Sequence, residues 1–393
     1  MKKKYALIYE NLRANITDGT IKYGEKLPSK RAAADSFDAS VITVEHAYEL
    51  LESEGYIESR PRRGYFARYV ADGILAEKES DFPFPEEFAI ENQTDGNNAS
   101  AKGTNAKDAN AKGTNAKDAN AKGTNAKDAN AKKERFPFGV YASAVRAVLN
   151  DLGDKITEKT NGSGAPALKS AIKNYLKTSR DVHADENRII IGAGAEYLYG
   201  VIAKLFGAGE TFAIETPSYG IIEKIYSLNG VKTEKLRLGT DGVLSEDLAA
   251  CRAKVIHVTP YRSFPTGVTA SASKRAEYLR AAKKIGAYIV EDDYESEFSL
   301  SAKLTETLFK NTPDDNVIYI NTFSKSVFPS LRLAYMILPE KLAAKYYEKF
   351  GDFSCPVPTL EQYVAAKIIS DGSFARHVNR VRRTRKKDLK INP

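Results

Sequence analysis

The sequence is short of several things that proteins use for particular tasks. Across its 393 residues there is no run of about 18 apolar residues, which excludes a membrane-spanning helix. The start, MKKKYALIYENLR, is basic but has no uninterrupted apolar stretch and no small-residue cleavage site, so no signal peptide is expected. Only two cysteines occur, Cys251 and Cys355, far apart in the chain. They exclude a disulfide framework and fit a reducing, cytoplasmic setting. Four scattered histidines lack ligand spacing, so no metal site is expected. What is present is 42% hydrophobic, enough for a sizeable core over two or three domains, and carries a formal charge of +8. That charge is compatible with nucleic acid without selecting it.

The most visible feature is low complexity. AKGTNAKDAN occurs three times from Ala101 to Asn130, after a polar approach from about Asp72. Its Lys, Asp, Gly and Asn offer no apolar face, so no core offsets the entropy of ordering it. The period matches neither a solenoid unit nor a heptad. Residues 71–135 therefore read as a flexible linker spanning about 40–50 Å root-mean-square. It separates residues 1–70 from residues 136–393.

In the first segment Tyr5, Leu7, Ile8, Leu12 and Ile16 recur at helical spacing, and Asp18-Gly19 marks the stop. Pro28-Ser29 opens a second, Ala-rich helix with Ser29 placed to cap it. Ser40 is placed to cap a third from Val41 to about Glu54, with Val44, Ala47, Tyr48 and Leu51 on one face and Gly55 ending it. YIESRPRRGYFARY then reads as two short strands around a Pro-Arg-Arg-Gly turn. Three helices and a hairpin with arginines at its tip outline a small α+β winged helix-turn-helix.

The motifs themselves add a resemblance. Gly24, Leu27-Pro28-Ser29, Arg31, Thr43-Val44, Ala47-Tyr48, Leu51 and Glu54-Gly55-Tyr56-Ile57, in this order, resemble the GntR family of winged-helix regulators. In such domains the third helix enters the major groove and the wing lies by the backbone or minor groove. The resemblance implies that Ser29, Arg31, Ser40, Thr43 and His46 face DNA, with Arg60, Arg62 and Arg63 in or beside the wing. One departure stands out. Where the family usually has Arg after the capping Ser, this chain has Val41, which removes a potential bidentate base contact worth about 1–3 kcal/mol of discrimination.

Beyond the linker, the strand-like RIIIGA, TFAIETP, KVIHVTP, AYIVEDDY and VIYINTFS alternate with amphipathic helical stretches. This predicts an α/β domain around a mostly parallel sheet with flanking helices. Ligands of such sheets gather at the carboxyl ends of the strands, here Thr259-Pro260, Asp292-Asp293-Tyr294 and Ser324-Lys325.

Lys325, closing a strand among hydroxyls with Arg332 seven residues on, suits an imine-forming site. Partial burial would favour the neutral amine that attacks an aldehyde. Thr322, Ser324 and Arg332 supply hydroxyls and a guanidinium for a phosphate. Asp292 can pair with a protonated pyridine nitrogen, Tyr294 can donate to a ring hydroxyl, and Tyr219 offers a stacking face. Gly192-Ala193-Gly194-Ala195-Glu196 follows a strand and opens a helix. Tyr197 stands where a dinucleotide fingerprint needs its third Gly, so the segment, with Gly194 and Ala195, reads better as a phosphate cradle of backbone amides.

With Pro265–Gly267 and the run Glu291–Phe298, these motifs resemble fold-type I pyridoxal-phosphate enzymes of the aminotransferase kind. The whole arrangement looks like MocR-type regulators of the GntR superfamily. That resemblance implies pyridoxal 5'-phosphate as cofactor, held through Lys325, Asp292, Tyr294, Thr322, Ser324 and Arg332. It also implies DNA and an amino-compound effector as partners, and a homodimer. The departures are Ala193, Ala195 and Glu196 in the cradle, Arg262 and Ser263 where His and Gln are common, and a sequence that stops at Pro393 ahead of an expected carboxylate-gripping subdomain. The basic run ARHVNRVRRTRKKDLKINP reads as a solvated helix face. Three functions follow as expectations: a regulator sensing pyridoxal phosphate or its adducts, an aminotransferase with a DNA-binding appendage, or a degenerate scaffold that dimerises without cofactor.

Overall fold

Local capping fixes the first elements. Helix α1 (Lys4–Thr17) precedes α2 (Lys30–Ser36) and α3 (Val41–Ser53), followed by an antiparallel hairpin of β1 (Ile57–Arg60) and β2 (Gly64–Ala67). Ser29 Oγ accepts the Ala32 N–H at 3.2 Å to open α2, and Ser40 Oγ accepts the Thr43 N–H at 3.2 Å to open α3. Ile8, Leu12, Ile16, Val44, Ala47, Tyr48 and Leu51 form the core between α1 and α3, as their spacing requires. The computed structural model describes residues 4–60, 63–69, 134–299, 306–312 and 314–391. The expected linker, apart from its last two residues, lies outside the described residues, and so does Arg62.

From residue 134 on come α4 (Phe138–Leu152), α5 (Pro166–Arg180), β3 (Ile189–Gly192), α6 (Ala195–Phe206), β4 (Thr211–Thr216), α7 (Gly220–Leu228) and β5 (Lys232–Arg237). They are followed by α8 (Ser245–Ala250), β6 (Val255–Val258), α9 (Ala272–Ile285), β7 (Tyr288–Asp292), β8 (Val317–Thr322), the short α10 (Phe323–Ser326) and β9 (Ala334–Ile337). Helices α11 (Glu340–Phe350), α12 (Thr359–Ser370) and α13 (Ser373–Ile391) close the described chain.

Among the described residues the large sheet has seven strands in the order β3-β9-β8-β7-β6-β4-β5. Only β9 runs antiparallel to its neighbours, so the sheet is mostly parallel, as the alternating motifs predict. Two strands escaped the hydrophobic pattern. β5, KTEKLR, is an edge strand rich in charge, and β9 is a four-residue strand between loops.

Strand parity divides the core. Ile289, Val317 and Tyr319 face one layer of helices, while Val290, Ile318 and Ile320 face the other. The same alternation sends Glu291 to the first face and Asp292 to the second.

The winged helix and the sheet domain belong to one compact unit. Ala272 of α9 joins the winged-helix core, and its N–H donates to Glu54 O at 3.0 Å, at the end of α3. Arg13 of α1 pairs with buried Glu306 at 2.8 Å and donates to Tyr56 Oη at 3.0 Å. The C-terminal basic helix is less solvated than its sequence implies. Arg385 forks onto Glu134 at 2.8 Å and Arg382 donates to Ser299 O at 2.8 Å, because Phe374, Val378 and Val381 anchor α13 against the domain.

Candidate functional site

The carboxyl ends of β4, β6, β7 and β8 surround a cavity of 320 Å³. Ala195, Tyr219, Asp292, Tyr294, Thr322, Ser324, Lys325 and Arg332 all line it, so the sequence-nominated residues of the large domain converge there. Gly194 borders the same space. Its φ is +91°, and a Cβ there would come within 2.8 Å of an Arg332 guanidinium nitrogen, so only glycine leaves the arginine its place.

Asp292 is almost fully buried. Tyr199 donates its hydroxyl to Asp292 Oδ2, and His257 Nε2 stands 3.7 Å from the same oxygen. Tyr226 and His257 Nδ1 share a hydrogen bond of 2.6 Å. Burial pushes the Tyr199 phenol well above its usual range, and the charge on Asp292 adds to that. Its proton therefore stays on the hydroxyl and points at Asp292. Asp292 Oδ1 has no partner among the described residues. A buried carboxylate oxygen without a donor costs on the order of 1–3 kcal/mol, which a cationic N–H arriving in the cavity would recover.

At the other end, no side chain caps α6, whose first amides face outward from Gly194. Ser324 Oγ is buried with no partner among the described residues, while its N–H donates to Thr322 Oγ1 at 3.1 Å. Thr322 also donates to Leu333 O at 3.3 Å, so it acts here as the cap of α10. Arg332 reaches in from a left-handed backbone position and is held by Glu196 at 3.1 Å.

Lys325 departs from expectation in one respect. It is exposed rather than partly buried, because α10 is a single turn that lifts it off the end of β8. Its Nζ lies 6.0 Å from the centre of the Tyr294 ring. Tyr294 donates to Arg262 O at 3.1 Å, and burial, then Glu295, pushes its phenol up to about 12. Tyr219 donates to Glu196 at 3.3 Å and meets Phe264 edge-on at 6.3 Å, leaving a ring face towards the cavity. Ser263 donates to buried Glu215 at 2.7 Å, so the replacement of a common Gln serves that acid.

These residues fit pyridoxal phosphate. The idle Asp292 oxygen suits a pyridinium N–H, and the idle Ser324 hydroxyl, uncapped α6 and Arg332 suit a phosphate. Glu196 is the one discordant group. Among the described residues no cluster of His, Cys, Asp and Glu is arranged for a metal.

The nominated DNA-facing residues divide into free and engaged. Arg31 and Arg63 are exposed with no side-chain partner among the described residues. Arg60 is engaged, pairing with Glu58 at 2.6 Å and stacking 4.5 Å over Phe66. His46 stacks on Tyr5 at 4.8 Å, and Ser29, Ser40 and Thr43 serve the helix caps.

Sequence reasoning missed Tyr199, His257, Tyr226 and the Glu196–Arg332 pair. The parity of β6 puts His257 on the Asp292 face, but only the register, His257 opposite Val290, brings it close.

Comparison with known proteins agrees with this arrangement. Residues 125–390 match the family model for aminotransferase class I and II, and residues 4–66 match that for bacterial regulatory proteins of the gntR family. The chain is 29% identical to the HTH-type transcriptional regulator YdeL of Bacillus subtilis, over 98% of this chain and 78% of that one. It is 28% identical to MocR of Rhizobium meliloti, described as a probable rhizopine catabolism regulatory protein, over 96% and 73%. Among solved structures, a multiple substrate aminotransferase from Thermococcus profundus superposes with a TM-score of 0.59 at 23% identity, over 64% of this chain and 65% of that one. LysN, an α-aminoadipate aminotransferase of Thermus thermophilus solved with a phosphopyridoxyl-leucine adduct, gives 0.55 at 25%, over 63% and 64%. The chain thus spans just under two-thirds of the length of those solved relatives.

Proposed function

The chain belongs to the aminotransferase class I and II family and carries a gntR-family domain ahead of it, and from this premise we propose a DNA-binding transcription regulator that senses pyridoxal phosphate, or an amino-compound adduct of it, in the Asp292–Lys325 cavity. The observation that carries this reading is the idle buried oxygen of Asp292, a residue that lines the same cavity as the exposed Lys325. When bound, the cofactor supplies an aldehyde that amines condense with and a ring that withdraws electrons. The chain's own residues would bind and orient it. Asp292 would hold the ring nitrogen, Tyr294 the ring oxygen, Tyr219 the ring face, and Ser324, Thr322, Arg332 and the amides at Gly194 and Ala195 the phosphate. Lys325 would be the amine that bonds the aldehyde.

A physical path runs from this cavity to the winged helix. On the opposite face of β7, Glu291 accepts the N–H groups of Leu308 and Phe309 at 2.8 and 2.9 Å. The loop so held presents Glu306 to Arg13 of α1. A ligand that binds one docking arrangement of the winged helix better than another would shift DNA binding by that difference. A homodimer with two winged helices, reading paired half-sites, is part of the proposal.

A second reading, an aminotransferase with a DNA-binding appendage, is supported by the same Asp292, Tyr294 and Lys325. Turnover of an amino donor with a keto acid separates the two. The experiment for the main reading is a visible spectrum with added pyridoxal phosphate, borohydride reduction, and mapping of the added mass. A new band and a mass on Lys325, together with altered DNA affinity, are expected. A folded protein with no band, or a band that persists in Lys325→Ala, overturns it.

A further inference from the structure

We infer that Val41 and Ile42 read thymine methyl groups in the major groove, an inference that rests on the DNA-binding function proposed above. The apolar side chains of α3 are otherwise accounted for: Val44, Ala47, Tyr48, Leu50 and Leu51 are all buried in the winged-helix core. Val41 and Ile42, on the first turn, are 42% and 77% exposed. Side by side on one helical turn and largely outside the core, these two β-branched side chains are free to meet a partner's apolar groups.

The polar groups around them are committed elsewhere. Ser40 and Thr43 hydrogen-bond each other at 2.8 Å, Glu45 is paired with Lys30 at 2.6 Å, and His46 stacks on Tyr5. The head of α3 thus presents hydrocarbon, with no guanidinium or amide in its first turn to bond a base edge.

Its setting is cationic. The Lys30–Glu45 pair and the Tyr48 hydroxyl, donating to Pro28 O at 2.8 Å, tie α3 to the start of α2, next to exposed Arg31. Lys30 also lies 5.4 Å from the centre of the Tyr65 ring on β2, and Lys26 lies alongside Gly64 at the wing. Lys26, Arg31 and Arg63 have no side-chain partner among the described residues and complement phosphates on either side of a groove. Exposed Glu49, further along α3, would be repelled by a phosphate backbone, which confines close contact to the first turn. The base feature that an apolar side chain can recognise in the major groove is the thymine C5-methyl. The half-site read by this helix therefore carries thymines where a guanidinium would have required guanine.

The test selects binding sites from random-sequence duplexes with the full chain. Selected thymines are then replaced one at a time by uracil, which deletes only the methyl group. Thymine is expected at adjacent positions of each half-site, with affinity falling about fourfold per methyl removed. Ile42→Ala should bind more weakly and be indifferent to uracil at one of those positions, and Val41→Arg should draw guanine into the selected site. Sites without thymine, or a wild type indifferent to uracil at every position while its binding stays salt-dependent, would overturn the inference and leave DNA binding standing. Affinity for a protein surface with no salt-dependent binding to any duplex would overturn both.

Discussion

Asp292 and Asp293 are neighbours in the chain and both are buried, yet they live in opposite circumstances. Asp293 faces a network in which Arg180 pairs with it at 2.8 Å and Tyr319 donates to it at 2.7 Å. Glu297 takes a donor from Asn321 at 2.6 Å, and Glu291 takes two backbone N–H groups. Across the sheet, Asp292 has one oxygen served by Tyr199 and one without a partner among the described residues. Parity alone separates the two acids, so the same strand end builds a structural cluster on one face and the acid of the proposed receptor on the other. An acid left incomplete in a buried site is the mark of a place where a ligand completes it.

The sharpest way to break that comparison is to unfinish the finished side. Arg180→Met removes the cation from Asp293 and Glu297 while keeping most of the buried volume. A loss of about 3–5 kcal/mol is expected, because buried acids are left uncompensated. Urea denaturation measures it. A loss below about 1 kcal/mol would mean that the cluster is neutral and needs no cation.

Proton binding offers a second lever on the structural acids. Burial raises both Glu215 and Glu291 from 4.5 to about 8, outweighing the donors each receives. The folded state therefore holds protons that the unfolded state releases above about pH 4.5. Their contribution is full below that pH and is lost as pH rises through about 8. Stability is expected to decline between pH 5 and 9 by at most about 4–5 kcal/mol for each acid, the limit set by these two shifts. Glu291→Gln, which mimics the protonated form, should flatten the decline. A stability that rises over this range would contradict the assignment.

On the receptor side the sign reverses: removal should hurt binding and spare the fold. Asp292→Ala leaves the Tyr199 hydroxyl without its acceptor and is expected to cost about 1 kcal/mol of stability. The same change would remove the partner proposed for a charged ring nitrogen, worth about 1.5–3 kcal/mol, or roughly 10- to 150-fold in affinity for pyridoxal phosphate. An absorbance titration reads it. Equal losses in stability and affinity would place Asp292 with the structural acids instead.

What the sequence discloses follows the reach of the forces involved. The winged helix is legible throughout because its signals are local, with Ser29 and Ser40 as caps and Gly55 as a stop. Five strands are legible because burial on both faces leaves continuous apolar runs, whereas KTEKLR, on an edge, has no such run. The cavity residues are legible because ends of parallel strands gather in one place. The Tyr199–Asp292–His257 contacts are not, since they depend on register between elements far apart in the chain. The exposure of Lys325 depends on a single helical turn that no periodicity announces.

Glu196 is the residue on which the two sides of the comparison meet. It satisfies Arg332 at 3.1 Å, as Asp293 satisfies Arg180, but both partners are half-exposed, 51% and 43% for the side chains. An ion pair in that setting is worth about 0–1 kcal/mol, so breaking it should leave the fold unmoved. In the proposed receptor, however, Glu196 occupies the guanidinium that a phosphate would need and sits in the first turn of the helix whose amides would form the cradle. Neutralising it frees the arginine and removes a negative charge from the phosphate's neighbourhood. Glu196→Gln is therefore expected to tighten pyridoxal phosphate binding about threefold to fivefold, within the worth of an exposed pair, with denaturation unchanged. Weaker binding in the Gln variant would show that the carboxylate orients Arg332 for the ligand, and the pair would then belong with the finished structural contacts.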